Sequence, residues 1–206
     1  LFEPLSNMVA WLAKVNLQAG QTIVIQGPGH MGLTRAAYAK TLGATVIVTG
    51  TGDDALRLDV AREVDADHTI NVTVDDPVEV VQDLTGGFGA SVVVDLASAP
   101  PTPSLCFDLV HHGGQVVWAG LKDRAAVPVV TDKVVMKSLT VHGGAGGTPE
   151  SVAEACRILN EGDFPTGPLL GEVVGLEDID RAMDILLRTS ETDAVRAVLK
   201  HAPVSG

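Results

Sequence analysis

The chain has 206 residues and a formal net charge of −12, from 14 basic and 26 acidic side chains. This acidic balance disfavours binding to nucleic-acid phosphates and to acidic membrane surfaces. Hydrophobic residues make up 46% of the chain and aromatic residues 3%, which predicts an apolar core but no stacking platform for single-stranded nucleic acid. Because neither a membrane-spanning apolar run nor a signal peptide is visible, we expect a cytoplasmic protein with no membrane partner.

Short Val- and Ile-rich runs alternate with helical patterns over the first 147 residues. The runs predict six strands, at Thr22–Gln26, Thr45–Val48, His68–Asn71, Ser91–Asp95, Gln115–Ala119 and Ser138–His142. Helical patterns lie between them at Leu33–Leu42, Asp54–Val64, Pro77–Leu84 and Pro103–His111. The runs are continuously apolar, as in strands that are covered on both faces. We therefore predict an α/β protein with a doubly wound, six-stranded parallel sheet of the Rossmann type.

The regular alternation of strand and helix patterns ends after Gly147. Thr148 and Pro149 have the side chains expected at the start of a helix, which we expect to run to about Asn160. A loop rich in Pro and Gly follows, and then a strand, a helix and a strand are predicted at Glu172–Val174, Leu176–Arg188 and Ala194–Leu199. This order does not continue the earlier series, and it indicates a second structural unit.

The sequence Gly27-Pro28-Gly29-His30-Met31-Gly32 fits the GxGxxG pattern, directly after the first strand and at the start of a helix. Gly27 permits the tight turn, Gly29 leaves room for a pyrophosphate, and Gly32 lets the helix pack closely on the sheet. Backbone N–H groups at the helix start, including those of His30 and Met31, would bind the phosphates. A glycine-rich turn without a ligand and a site for a methyl donor's nucleoside are the alternatives.

The second strand ends without the acidic residue that commonly binds the adenosine ribose. Gly50 stands there, and its lack of a carboxylate slightly favours NADP over NAD, with Thr51 and Arg57 as candidate contacts to a 2′-phosphate. Asp53 and Asp54 favour NAD instead if either reaches the ribose. Further candidates follow the later strands, because ligands lie beyond the carboxyl ends of such sheets; these candidates are Ala97, Ser98, Gly120, Leu121 and the loop Gly143–Gly147.

The chain resembles a known family over nearly its whole length, from Phe2 to about Lys200. The similarity lies in Glu3-Pro4-Leu5, the stretch 17–25, the glycine turn 27–33, and the stretches 61–71, 112–121, 176–187 and 194–199. It is similar to the C-terminal, cofactor-binding part of medium-chain dehydrogenases/reductases of the zinc-type alcohol and polyol dehydrogenase branch. The resemblance implies hydride transfer between a nicotinamide cofactor and a small alcohol or carbonyl substrate, with zinc in the full-length enzyme.

The resemblance also implies a domain division and further site residues. Residues 1–18 would be a helix linking to a catalytic domain, 19–147 the dinucleotide-binding domain, and 148–206 a segment returning to the catalytic domain, which is incomplete here. Ala119, Gly120 and Leu121 would line the nicotinamide, together with Ala145 and Gly146, and Arg196 would contact the pyrophosphate. Glu3 matches a position near the zinc, although a lone carboxylate cannot form a catalytic zinc site and it could equally be an ordinary helix-start acid.

The resemblance further implies a homodimer formed through the edge of the sixth strand. No catalytic residue of this chain is identified. Two other functions remain open beside the dehydrogenase: a zinc-free quinone or enoyl reductase of the same superfamily, and a non-catalytic nucleotide-binding module.

Overall fold

The computed structural model describes residues 1–189 and 194–201. Its helices are α1 (Phe2–Val15), α2 (His30–Thr41), α3 (Ala55–Glu63), α4 (Pro77–Leu84), α5 (Thr102–Leu109), α6 (Asp132–Met136), α7 (Pro149–Glu161), α8 (Thr166–Leu170) and α9 (Ile179–Leu187). Its strands are β1 (Thr22–Gln26), β2 (Thr45–Gly50), β3 (His68–Asn71), β4 (Ala90–Asp95), β5 (Val110–Trp118), β6 (Thr140–Gly143), β7 (Glu172–Gly175) and β8 (Ala197–Lys200).

Six parallel strands form one sheet in the order β3-β2-β1-β4-β5-β6. Strand β1 is central, and Ile25 pairs with Val48 of β2 on one side and with Val94 of β4 on the other. The chain order reverses between β1 and β4, which leaves a crevice at the carboxyl ends of these strands. The predicted α/β class and six-stranded parallel sheet are confirmed.

The sheet is covered on both faces, which explains its continuously apolar strands. On one face Ile25 and Val94 belong to a buried cluster that includes side chains of α1, α2 and α7. On the other face Val24 and Val93 pack in a second cluster with Phe107 of α5. Consecutive residues of a strand point to opposite faces of the sheet. Because both faces are covered, neighbouring residues such as Val24 and Ile25 both need apolar side chains.

Several element boundaries differ from the sequence predictions. Helix α2 begins at His30 rather than Leu33, because the end of the glycine turn already forms its first turn. Strand β2 continues to Gly50 instead of ending at Val48. Helix α5 ends at Leu109 and Val110 is extended, so the segment predicted to be helical as far as His111 enters β5 early. The pairing of β4 with β5 then shifts register, with Ala90 opposite Val110 but Val92 opposite Gln115.

The C-terminal segment forms a second, two-stranded parallel sheet from β7 and β8. Thr148 caps α7 as predicted, with its side chain accepting a hydrogen bond from the Ser151 N–H at 3.2 Å. The loop predicted at 162–171 contains the short helix α8. The final strand begins at Ala197 rather than Ala194. Part of the segment assigned to 148–206 lies outside the described residues, and the domain division stays a prediction.

Helix α1 packs against α2 and α7, and it covers a charged side chain. Arg35 of α2 is fully buried, and its Nε donates to the Met8 sulfur at 3.1 Å. Its guanidinium lies 5.1 Å from the centroid of the Trp11 ring. Within the part of the chain that is described, Nη1 and Nη2 have no hydrogen-bond partner. Burial lowers the pKa of Arg35 to about 9, because a charge without an anionic partner is poorly solvated here.

None of the helices in residues 1–189 and 194–201 has the length and apolar character needed to span a membrane.

The Arg35 charge is expected to reduce stability at neutral pH. The pKa of Arg35 is lower in the folded state than its ordinary value of 12.5, so the charged form favours the unfolded chain. We expect Arg35→Met to raise the free energy of unfolding at pH 7 by about 1 kcal/mol, because an apolar side chain of similar size avoids the desolvation cost. This gain should shrink as the pH rises above 9, where wild-type Arg35 loses its proton on folding. Denaturant titrations at pH 7 and pH 10 measure it.

Arg62→Met is the matched control, since Arg62 is exposed and its replacement should change stability by less than about 0.5 kcal/mol. A clear loss of stability in Arg35→Met alone would contradict the expectation.

Candidate cofactor site

The glycine turn between β1 and α2 has three glycines with three different surroundings. Gly27 has a φ of +102°, and a Cβ there would lie 3.0 Å from the Ala97 nitrogen. A Cβ on Gly32 would lie only 2.0 Å from the Gly27 carbonyl oxygen, whereas one on Gly29 would meet nothing within 4 Å. Gly27 and Gly32 are therefore required by the backbone, and Gly29 leaves open space above the turn.

The start of α2 combines free space with positive charge. Gly29 is its N-cap residue and supplies no side chain to cap the first N–H groups. Burial lowers the pKa of His30, the charges of Arg196 and Arg57 lower it further, and Glu3 opposes them. Two arginines from distant parts of the chain thus act on the N-terminal end of this helix, which is itself partially positive.

Arg57 also contacts the C-terminal segment, where its Nη2 donates to the Ala194 carbonyl at 3.4 Å.

A cavity of about 220 Å³ lies beyond the ends of β1, β2 and β4, beside Gly27, Gly50 and Thr51. Gly50 is tightly packed: a Cβ there would lie 2.9 Å from Pro28 Cγ and 3.1 Å from Asp54 Cβ. An acidic side chain at position 50 would therefore need neighbouring groups to move. The carboxylate of Asp54 lines this cavity instead.

The Asp54 carboxylate is already engaged by three donors. The Thr51 N–H and hydroxyl donate to it at 2.9 and 2.8 Å, and Arg188 Nη1 donates at 3.0 Å. Burial alone would raise the pKa of Asp54, but these hydrogen bonds outweigh it and hold the pKa below its usual value. Arg188 follows α9, 134 residues away in the sequence, and sequence analysis missed it because no local pattern links it to the cavity.

The ends of β4 and β5 meet at a close backbone contact. A Cβ on Gly120 would lie 2.2 Å from the Ala97 carbonyl oxygen. Lys122 lies next to this contact, and its Nζ donates to the carbonyl oxygens of Ala97 and Gly120. The same Nζ donates to Asp95 Oδ2 at a distance of 2.8 Å. Ser98 and Leu121 are exposed beside it. The lysine thereby holds the two strand ends together.

Asp95 and Lys122 form a buried ion pair that sequence analysis did not identify. Their side chains are 1% and 9% exposed. Burial raises the pKa of Asp95, although hydrogen bonds from Lys122 and Thr102 oppose the shift. The available signal was that Asp95 ends one strand and Lys122 follows the end of its neighbour, and such positions meet at one edge of a parallel sheet.

The loop from Gly143 to Gly147 continues the same edge. A Cβ on Gly144 would lie 3.0 Å from the Cβ of Ala119, and the Gly144 N–H donates to the Trp118 carbonyl at 2.8 Å. Ala145 and Gly146 are exposed at its tip. Close contacts therefore connect one continuous series of backbone segments, which we call the glycine track: Gly50, Pro28, Gly27, Ala97, Gly120, Ala119 and Gly144.

The described residues contain no group of three or more His, Cys, Asp or Glu side chains that could hold a metal ion. Glu3 lies in the first turn of α1, and its Oε1 accepts a hydrogen bond from Asn7 Nδ2 at 2.7 Å. One carboxylate does not provide the three protein ligands of a catalytic zinc ion. The residues described here therefore do not form a zinc site.

Comparison with known proteins identifies the family. A model of the zinc-binding dehydrogenase family matches residues 31–161. Sorbitol dehydrogenase of Halalkalibacterium halodurans is 33% identical over 180 residues, which are 87% of this chain and 52% of the relative. A probable alcohol dehydrogenase of Mycobacterium tuberculosis is 37% identical over 183 residues, or 86% of this chain and 50% of the relative.

Solved structures have the same fold at lower identity. The 2R,3R-butanediol dehydrogenase of Bacillus subtilis gives a TM-score of 0.87 at 21% identity, covering 97% of this chain and 56% of that protein. An Escherichia coli oxidoreductase of unknown specificity gives 0.88 at 22% identity, covering 98% and 57%. The chain spans about half the length of the curated relatives it matches. The chain belongs to the zinc-binding dehydrogenase family. It corresponds to the C-terminal, dinucleotide-binding part of the members of that family.

Proposed function

We propose that the chain binds NADP or NAD along the glycine track and forms the cofactor-binding part of an alcohol or polyol dehydrogenase. The track itself is the observation that carries this proposal. It runs along the carboxyl edge of the sheet, the place where doubly wound sheets bind ligands, and Gly29 beside it leaves open space at the start of α2. The relatives named sorbitol and alcohol dehydrogenase support the choice of reaction class.

Residues of the track and residues beside it have separate roles in this proposal. The N–H groups of His30, Met31 and Gly32 bind the pyrophosphate, and Arg57 and Arg196 supply positive charge. Thr51 lies at the ribose end. Ala97, Ser98 and the backbone of 119–121 line the nicotinamide half, together with Ala145 and Gly146. The nicotinamide, when bound, supplies or accepts the hydride, and the contribution of this chain is to hold it in position.

Zinc belongs to the proposed enzyme through ligands outside the residues described here. Glu3 would add at most one carboxylate ligand to them. The substrate in this proposal is a small alcohol or carbonyl compound, and the location is cytoplasmic.

The C-terminal segment offers a surface on which the catalytic domain can pack. Ile179, Met183, Leu186 and Leu187 of α9 and Val173 of β7 are between 47% and 66% exposed. Apolar side chains gathered on one small unit are typical of a surface that is covered in the complete protein. We propose that residues 1–18 and 148–206 adjoin that domain, whereas 19–147 form the dinucleotide-binding domain.

Two glycine substitutions test cofactor binding. Gly29→Ala should fold normally, because the new Cβ meets nothing within 4 Å, but it should weaken NADPH binding by about tenfold, since the methyl group occupies the space above the turn. Gly32→Ala should lower both affinity and melting temperature, because its Cβ would lie 2.0 Å from a carbonyl oxygen. Calorimetric titration and thermal unfolding measure the two properties.

Gly167→Ala serves as the control, because Gly167 also has open space around it and lies away from the track. If Gly29→Ala binds NADPH as tightly as the wild type, the proposal that the glycine turn binds the pyrophosphate is wrong. If the complete enzyme binds NADPH but oxidises no member of an alcohol and polyol panel, the non-catalytic alternative replaces the dehydrogenase.

Cofactor choice depends on the charge around Asp54. We propose a slight preference for NADP, because position 50 lacks a carboxylate and Arg188 compensates the charge of Asp54. Arg188→Met should weaken NADPH binding about fivefold and leave NADH binding nearly unchanged, since the 2′-phosphate would then face an uncompensated carboxylate. Arg181→Met is the matched control, because Arg181 lies on α9, which Arg188 directly follows, but pairs with Glu172. A tenfold preference of the wild type for NADH would overturn the proposal.

The edge of the sheet supports a homodimer. Strand β6 lies at the edge as predicted, and Val135 and Met136 beside it are 75% and 76% exposed. We expect a dimer at micromolar concentration in sedimentation, and the double variant Val135→Asp with Met136→Asp should be monomeric, because two buried charges would oppose association. Leu187→Asp on α9 should leave the dimer intact. A wild type that sediments only as a monomer would contradict this expectation.

A further inference from the structure

Helix α1 forms two hydrogen bonds to the Gly143–Gly147 loop. Lys14 Nζ donates to the Gly143 carbonyl at 2.8 Å, and the Trp11 indole N–H donates to the Gly146 carbonyl at 2.9 Å. These two bonds connect residues 129 and 135 positions apart in the sequence. Ser6 lies at the other end of the loop, where a Cβ on Gly147 would approach its Oγ to 3.0 Å.

The start of the loop is fixed by the sheet, because Gly143 ends β6 opposite Trp118 and the Gly144 N–H donates to the Trp118 carbonyl, whereas its tip has fewer contacts. A Cβ on Gly143 or on Gly146 would meet nothing within 4 Å. A groove of about 390 Å³ runs beside the loop between α1 and α7, lined by Ala145, Gly146 and Gly147. Because the tip of the loop borders open space, we expect the bond from Trp11 to Gly146 to determine where the tip lies, while the bond from Lys14 adds to the sheet contacts at Gly143.

Trp11 is held firmly enough to act as a support. Its side chain is nearly fully buried, and the Arg35 guanidinium lies 5.1 Å from the ring centroid. On the loop side, a Cβ on Gly144 would lie 3.0 Å from Trp11 Cδ2. The attraction between the cation and the ring face therefore helps to hold the indole in place.

We infer that Trp11 is a positioning residue for the nicotinamide half of the cofactor, acting through the Gly143–Gly147 loop. The inference rests on the proposed function, in which Ala145 and Gly146 line the nicotinamide. Trp11 lies on the face of the sheet opposite Trp118, and its indole N–H bonds to the loop and not to the glycine turn. Its contribution should therefore affect the nicotinamide half and leave the adenosine and pyrophosphate half unchanged.

The test compares NADPH with 2′-phospho-ADP-ribose, which lacks only the nicotinamide ring. Trp11→Phe keeps an aromatic ring beside Arg35 but removes the N–H donor to Gly146. We expect the Kd for NADPH to rise about fivefold, as for loss of one hydrogen bond, while the Kd for 2′-phospho-ADP-ribose changes less than about twofold. The fluorescence emission of bound NADPH should also move towards that of free NADPH, because the nicotinamide becomes less well held.

Trp118→Phe is the matched control, because its ring packs against Phe107 with centroids 5.6 Å apart and does not support the loop. It should affect the two ligands alike. Lys14→Met provides a second variant if Trp11→Phe does not fold, since Lys14 is exposed and its bond to Gly143 acts on the same loop. It should lower NADPH affinity selectively as well.

The outcomes separate the two proposals. Equal weakening of both ligands by Trp11→Phe, or no weakening of either, would overturn the positioning role while leaving cofactor binding intact. A wild type that binds neither ligand would instead overturn the proposed function, and with it the inference.

Discussion

The carbonyl oxygen of Gly27 lies so close to α2 that a Cβ on Gly32 would approach it to 2.0 Å. This contact brings the start of α2 against the end of β1, and Gly29 consequently becomes the N-cap of the helix. The helix therefore begins at the end of β1, next to the crevice between β1 and β4, and the N–H groups of its first turn have no side-chain cap. The remainder of the glycine track depends on that position, because Ala97 packs on Gly27 and Gly120 packs on Ala97.

The six strands and the glycine turn could be predicted because both leave local patterns in the sequence. Continuous apolar runs such as Ser91–Asp95 are strands that need apolar side chains on both faces, and the parallel order follows from the helices between them. Boundaries were harder where backbone and tertiary contacts compete. Val110 adjoins a helix in sequence, yet Ala90 of β4, which is 20 residues away, is its strand partner.

The site residues that sequence analysis missed are all linked by long-range contacts. Arg188 reaches Asp54 across 134 positions, Trp11 reaches Gly146 across 135, and Lys122 reaches Asp95 across 27. No local pattern links Arg188 to Asp54 or Trp11 to Gly146, whereas Asp95 and Lys122 could have been paired from their positions at the ends of neighbouring strands. Buried charges show a further limit of sequence analysis. Asp95 and Lys122 compensate each other in a buried ion pair, whereas Arg35 is buried against the Trp11 ring without a carboxylate partner. Amino-acid composition does not distinguish these two situations.

These long-range contacts share an arrangement that bears on how the enzyme would work. In the proposed function, Trp11 and Lys14, from the segment before the dinucleotide-binding domain, hold the nicotinamide end of the track. Arg188, from the segment after that domain, holds the ribose end through Asp54, and Arg57 contacts the same C-terminal segment at Ala194. Both flanking segments adjoin the catalytic domain in the proposed division. The glycine turn at the centre is fixed by the contact between Gly27 and Gly32. Both ends of the track are thus held in place by hydrogen bonds of α1 and of the residue after α9. A site whose backbone is already held in position loses less conformational entropy when the cofactor binds.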